Sequence, residues 1–230
     1  MTTAEYVDLF RDCQKEDLRE RDYLHLLLSR MSFNTWSNAH PSGQDDPIIE
    51  EHGLCMSQYP SQFASYLLHV LGLDLPIKTY IELGVDKGGS FVATVEFFRH
   101  FNGEIRATGV DPLGIHPNLV EYGHLQRFTY VQRSSTDPEF KRSLSNQKFD
   151  LCFIDAVHDY ASVSHDFGLM ADYARIIAFH DVCGPVTPGS CQLWSEIKSK
   201  FPIRCHECVE QYYSHTKRFG IGVFVNDYRL

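Results

Sequence analysis

Residues 79–91 read TYIELGVDKGGSF: an apolar run closing on an acid, a turn holding Gly84, Gly88 and Gly89, and the start of a helix. A strand that empties into such a turn lets a ligand approach the backbone closely, because glycine has no Cβ and tolerates positive φ. In dinucleotide-binding turns the pattern is G-x-G-x-x-G, with pyrophosphate held at the helix N-terminus. Here the glycines are spaced more widely, and Glu82 stands two residues before the first of them. An acid at that point repels phosphate and suits a cationic or hydroxyl-rich ligand.

Working outward, the chain alternates regularly. Strands are predicted at 80–83, 106–110, 129–132, 151–154 and 176–179, with helices at 90–101, 161–173 and 193–201. Upstream, 62–71 has helical spacing, and 203–209 with 220–225 suggests a closing hairpin. This alternation predicts an α/β fold whose mostly parallel sheet is covered on both faces. Each strand stops at a polar residue, and ligands of open α/β sheets bind outside those ends. Asp111, closing the second strand, can accept both hydroxyls of a ribose, and Ser134 or Ser135 after the third strand can meet an adenine edge. Asp111 can equally be an ordinary strand-end acid before Pro112.

The second informative stretch is FDLCFIDAVHDY at 149–160, followed by Val163 and Asp166; the next strand ends in IAFHD at 177–181. The first stretch resembles motif I of class I S-adenosylmethionine-dependent methyltransferases, matched by Glu82, Gly84, Gly88 and Ser90. The second resembles the F-D-x-x-F-I-D-G-x-H-x-Y segment of a small-molecule O-methyltransferase branch, with Ala156 replacing glycine, and His180-Asp181 resembles that branch's F-H-D ending. The likeness covers about residues 60–228. It implies a Rossmann-like seven-stranded sheet with its last strand antiparallel. It further implies S-adenosyl-L-methionine as cofactor, held by Glu82, Gly84, Gly88, Ser90, Asp111, Ser134, Ser135 and Asp155, and methyl transfer to an oxygen of a small molecule. The family pattern more often has Gly-Asp where Arg133-Ser134 stands, which puts the adenine contact of that loop in question.

In related enzymes of the catechol and macrolide-sugar type, acids ending the fourth and fifth strands hold a divalent cation beside a Lys or His base. Carried over, this implies Asp155, His180 and Asp181 around a metal such as Mg²⁺, with His158 as catalytic base. A histidine at 180, where the family has an acid or an amide, makes the pocket less negative, which weakens the Mg²⁺ case and leaves room for a softer metal or none. Two plainer readings stay open: Asp155 as a helix N-cap and His180 as a hydrogen-bonded core histidine.

The totals bound the rest. At 230 residues the chain holds one α/β domain, 62–230, preceded by a helical extension and lid-like segment, 1–61. Within the latter, 4–31 has amphipathic helical spacing, offering a face for a second subunit, and 32–61 is aperiodic. A net charge of −9, without basic clusters, argues against nucleic acid as partner. Seven scattered cysteines do not form a disulfide framework, and the single C-x-x-C at 205–208 falls short of a two-knuckle zinc site. No run is long enough for a membrane span and the first residues lack a signal pattern, so a cytoplasmic location is expected. Two other functions fit some of these residues. A metal-dependent hydrolase would use Asp155, His158, His180 and Asp181, and a non-catalytic nucleoside-binding module would keep the fold alone.

Overall fold

The computed structural model describes residues 2–30, 54–209 and 219–226. Its centre is a seven-stranded sheet in the order β3-β2-β1-β4-β5-β7-β6. The strands are β1 (Thr79–Leu83), β2 (Arg106–Val110), β3 (Thr129–Val131), β4 (Phe149–Ile154), β5 (Ala174–Cys183), β6 (Cys205–Cys208) and β7 (Phe219–Val225). The first five are parallel; β7 runs antiparallel to both β5 and β6. The order reverses between β1 and β4, so the loops after these two strands part there and open a crevice at their carboxyl ends.

Eight α-helices are described: α1 (Thr3–Arg11), α2 (Arg21–Ser29), α3 (Pro60–Gly72), α4 (Gly89–Asn102), α5 (Pro117–Leu125), α6 (Pro138–Ser143), α7 (Tyr160–Met170) and α8 (Pro188–Lys200). The sequence reading passed over α5 and α6. Both are short and begin at a proline, and His116 and Asp137 cap them by accepting from Asn118 N and Glu139 N. It also began α8 late, because Pro188 and Gly189 look like a turn and in fact open the helix.

Strand alternation sorts the core into two layers. Tyr80, Leu151, Phe153, Ile176 and Ala178 face α3, α4 and α5, while Ile81, Leu83, Cys152, Ile154, Ile177 and Phe179 face α7 and α8. Each of these side chains is essentially excluded from water, a contribution of about 1.5–3 kcal/mol apiece for the larger ones. The first layer also takes in Tyr6, Val7, Phe10, Leu24 and Leu28 of the N-terminal helices. Their apolar faces therefore turn into this chain's own core, leaving Tyr23 and Leu26 exposed. A buried polar knot ties them down: Glu96 accepts from Arg11 Nε (3.3 Å), Arg99 Nη1 (3.1 Å) and the Tyr122 hydroxyl (2.8 Å).

Of the aperiodic segment expected at 32–61, residues 31–53 lie outside the described residues. Its end packs on the domain, where Leu54, Met56 and Gln58 are buried. Cys205 and Cys208 sit three apart on β6, on opposite faces, so they cannot share an ion as a pair. No helix among the described residues is long and apolar enough to cross a membrane.

Candidate active site

The crevice begins beneath the glycine turn. Glu82, at 0 % exposure, accepts hydrogen bonds from Ser90 Oγ at 2.6 Å and from the Tyr80 hydroxyl. Burial lifts its carboxyl to about 8, against the opposing pull of those two donors. Burial thus favours the protonated form at neutral pH, where the sequence suggested an anion facing a cation. Its structural work is to hold Ser90 at the first turn of α4.

The glycines also act differently from the reading. A Cβ on Gly84 (φ +85°) would lie 2.2 Å from the Asp155 carbonyl oxygen, and one on Gly88 (φ +95°) 2.5 Å from Leu119 Cδ2. Their small size lets this chain's own loops close on the turn, bringing the segment after β4 against the end of β1. Asp111 braces the same turn from β2. Its Oδ2 accepts from Val85 N (3.1 Å) and Asp86 N (3.0 Å), and its Oδ1 from Leu113 N (2.8 Å). A carboxylate has about four lone-pair sites, two on each oxygen, so Oδ1 retains acceptor capacity toward a ligand hydroxyl.

On the far wall, β5 breaks its own alternation. Consecutive strand residues normally point to opposite faces, yet His180 Nδ1 and Asp181 Oδ1 stand only 3.6 Å apart. The cause is local: Asp181 adopts φ +62°, and the register with β7 shifts between His180 and Cys183. This irregularity turns both side chains toward the end of β4. There His180 Nδ1 lies 3.1 Å from Asp155 Oδ1, and His158 Nε2 lies 3.2 Å from Asp181 Oδ2 and 3.9 Å from Asp155 Oδ1.

The charges settle into pairs. Burial disfavours the charged form of His180, but the Asp155 carboxylate and its hydrogen bond outweigh it and raise the imidazole to about 8. Burial likewise pushes Asp155 up, and His180, His158 and Gln58 together pull it below its ordinary value. Both directions describe an ion pair at neutral pH. Asp181 is raised, by burial and by the neighbouring Asp155 charge.

These groups line a cavity of about 400 Å³ with Gly84, Asp86 and Ser90. The N-cap of α7 is Asp159, which accepts from Ser162 N, so Asp155 is not a helix cap. His180 is indeed buried and hydrogen-bonded, and it borders the cavity as well. Of the wall residues that escaped the sequence reading, two touch these groups directly. Gln58 donates to Asp155 Oδ2, and Phe219 stacks on His180 with ring centroids 5.9 Å apart. Gln58 falls in a stretch with no periodicity, and only the glycine after Phe219 hinted at an unusual strand start.

A second cavity, of about 200 Å³, adjoins the first across Gly84 and is lined by Val110, Ser134, Ser135, Ala156 and Asp166. The crevice thus has a titratable chamber and a quieter one, divided by the residue at which the glycine turn begins.

Residues 81–182, which carry all of these strand ends, match the sequence profile of a family described as "Methyltransferase domain". The strand order is that of the class I methyltransferase fold, and the matched profile is a methyltransferase domain. Several solved structures share its fold. A Klebsiella pneumoniae protein provisionally assigned as an O-methyltransferase superposes with a TM-score of 0.51 at 22% identity, over 70% of this chain and 79% of that one. Cofactor-bound Rv0187 from MTB gives 0.52 at 16% identity, over 79% and 84%. A Listeria monocytogenes protein provisionally assigned to class I gives 0.51 at 13% identity, over 94% and 69%. No curated protein matches the chain in sequence.

The crevice suits S-adenosylmethionine. Two chambers joined at Gly84 can take a nucleoside on one side and its amino-acid arm on the other, and four buried polar atoms on the walls, Gln58 Oε1, Asp166 Oδ1, His180 Nε2 and Asp181 Oδ1, have no hydrogen-bond partner. For a metal, Asp155, His158 and Asp181 each offer one ligand atom within 4.8 Å of the others. His158 takes the place in that grouping that the sequence reading gave to His180, whose Nδ1 is held by Asp155.

Proposed function

We propose that this protein is a methyltransferase that moves the methyl group of S-adenosylmethionine to a hydroxyl oxygen of a small molecule, and that His158 takes the hydroxyl proton. The observation that carries the reading is the His158–Asp181 pair at 3.2 Å, on the wall of the chamber beyond Gly84. With Nε2–H directed at Asp181, the basic atom left to His158 is Nδ1. The Asp181 carboxylate then stabilises the imidazolium that forms, the logic of any base oriented by an acid. When bound, the donor supplies an electrophilic methyl on a sulfonium. The chain supplies position: Asp111 and the turn hold the ribose, Ser134 and Ser135 border the base, and Gly84, Gly88 and Ser90, fastened by Glu82, shape the turn under the arm. Alignment of acceptor oxygen and methyl accounts for most of the rate in such transfers.

In the Asp155–His180 ion pair the charges cancel, but His180 Nε2 is left without a partner on the chamber wall. As an imidazolium donor it can meet a developing alkoxide without any metal ion. A second reading is favoured by the Asp155, His158 and Asp181 grouping: a divalent ion on these three would acidify and orient the hydroxyl, with His158 then a ligand and not the base. Turnover on a panel of phenols, catechols, sugars and amines, with and without EDTA, tests both. Methyl ethers formed equally with and without chelator support the imidazole mechanism. Loss of turnover on chelation, restored by one metal, supports the second reading, and methylation of amines alone sinks the oxygen assignment.

A further inference from the structure

Asp166 stands out among the polar groups of the smaller chamber because it is the one left unsatisfied. It projects from α7, is 1 % exposed, and its Oδ1 has no hydrogen-bond partner. The other polar side chains that line the chamber are spent locally. Ser134 Oγ pairs with Thr136 Oγ1 at 2.8 Å and accepts from Thr136 N at 3.2 Å. Ser162 Oγ donates to Asp159 at 2.6 Å, and Arg133 is occupied by Asp137 (2.8 Å) and Glu139 (2.6 Å). Ser135 hydrogen-bonds the Asp166 carboxyl itself and so steadies it. A buried acid oxygen with nothing to bind is costly, and such groups normally find a partner in the ligand.

The surroundings say what kind of ligand. Leu83, Val110, Pro112 and Val157 make apolar walls suited to a flat ring, and the chamber meets the turn at Gly84, beside the carboxylate of Asp111. We propose that Asp166 reads the amino edge of the donor's adenine, doing from α7 the work for which Ser134 and Ser135 were the sequence candidates. Adenine presents an N–H donor at N6 and a lone pair at N1. Burial raises the Asp166 carboxyl above its ordinary range, which favours the protonated acid. A carboxylic acid is complementary to both positions: its carbonyl oxygen accepts from N6 and its hydroxyl donates to N1. The inference rests on the S-adenosylmethionine cofactor and is independent of the acceptor's identity.

The test compares S-adenosylhomocysteine with its purine riboside analogue, which keeps N1 and carries hydrogen in place of the 6-amino group. Calorimetric titration of the full chain gives the ratio of their dissociation constants. Wild type is expected to prefer the adenosyl form by on the order of 10-fold. Asp166→Leu, which offers N6–H no acceptor, is expected to bring the ratio to within about threefold of unity while still binding. A wild-type ratio retained in Asp166→Leu overturns the assignment. Should the variant fail to fold, wild type decides alone: equal binding of the two compounds rejects an amino-reading acid. Absence of any S-adenosylhomocysteine binding to wild type overturns the cofactor on which the inference stands.

Discussion

Glu82→Gln isolates the effect of a buried acid on stability. Burial raises this carboxyl from 4.5 to about 8, so the folded chain holds a proton that the unfolded chain releases. Because the folded state binds the extra proton, stability is fully present below about pH 4.5 and is lost as pH rises through about 8. At 1.36 kcal/mol per pH unit, the window is worth up to about 5 kcal/mol. Glutamine keeps the shape and an acceptor toward Ser90 or Tyr80 but has no proton to lose. Urea unfolding of wild type and variant at intervals from pH 5 to 9 measures the difference. His180, also raised, adds a smaller fall between about pH 6.5 and 8 in both proteins and cancels on subtraction. The prediction is that the variant gains on wild type by several kcal/mol across the range. Parallel stability curves would refute a proton held at Glu82, and with it the claim that the residue faces the turn as a neutral acid.

Gly84→Ala should cost about 2–5 kcal/mol, combining a positive φ with a Cβ placed 2.2 Å from a backbone oxygen; thermal melting should show Tm falling by roughly 5–20 °C. Glu96→Gln should weaken the anchoring of α1 through Arg11 and lower global stability by about 1–3 kcal/mol, with faster amide exchange in α1 as the local sign. Gln58→Leu removes a donor to Asp155; S-adenosylhomocysteine affinity should hold within about threefold while kcat falls on the order of tenfold, as measured by binding and turnover side by side.

Much of this architecture was legible because it rests on periodicity. Strands β1, β2, β4 and β5 are short apolar runs bounded by polar ends, and α4 and α7 carry helical spacing, so order and layering followed. The crevice was legible for the same reason, since Glu82, Asp111, Asp155 and His180 each close a strand. What the residues could not reveal was side-chain environment. Glu82 as a letter is an anion; in place it is dry, and desolvation outweighs two hydrogen bonds to favour the protonated form. The β5 irregularity that turns His180 and Asp181 to one site depends on a left-handed backbone at an aspartate, which has no periodic signature. Gln58 reaches Asp155 from 97 residues away in sequence, through a segment with no pattern at all. Asp166 sat in plain view inside a recognised motif, and only the exhaustion of its neighbours' hydrogen bonds in the folded chain gives it a role.

The account turns on His158 acting at the proton and not at the donor. Single-turnover transfer from methyl-labelled S-adenosylmethionine to a hydroxylated acceptor, for wild type and His158→Ala at matched cofactor occupancy, tests that most directly. The prediction is S-adenosylhomocysteine affinity unchanged and a chemical step slower by about 10²- to 10⁴-fold. An undiminished rate in His158→Ala would contradict it.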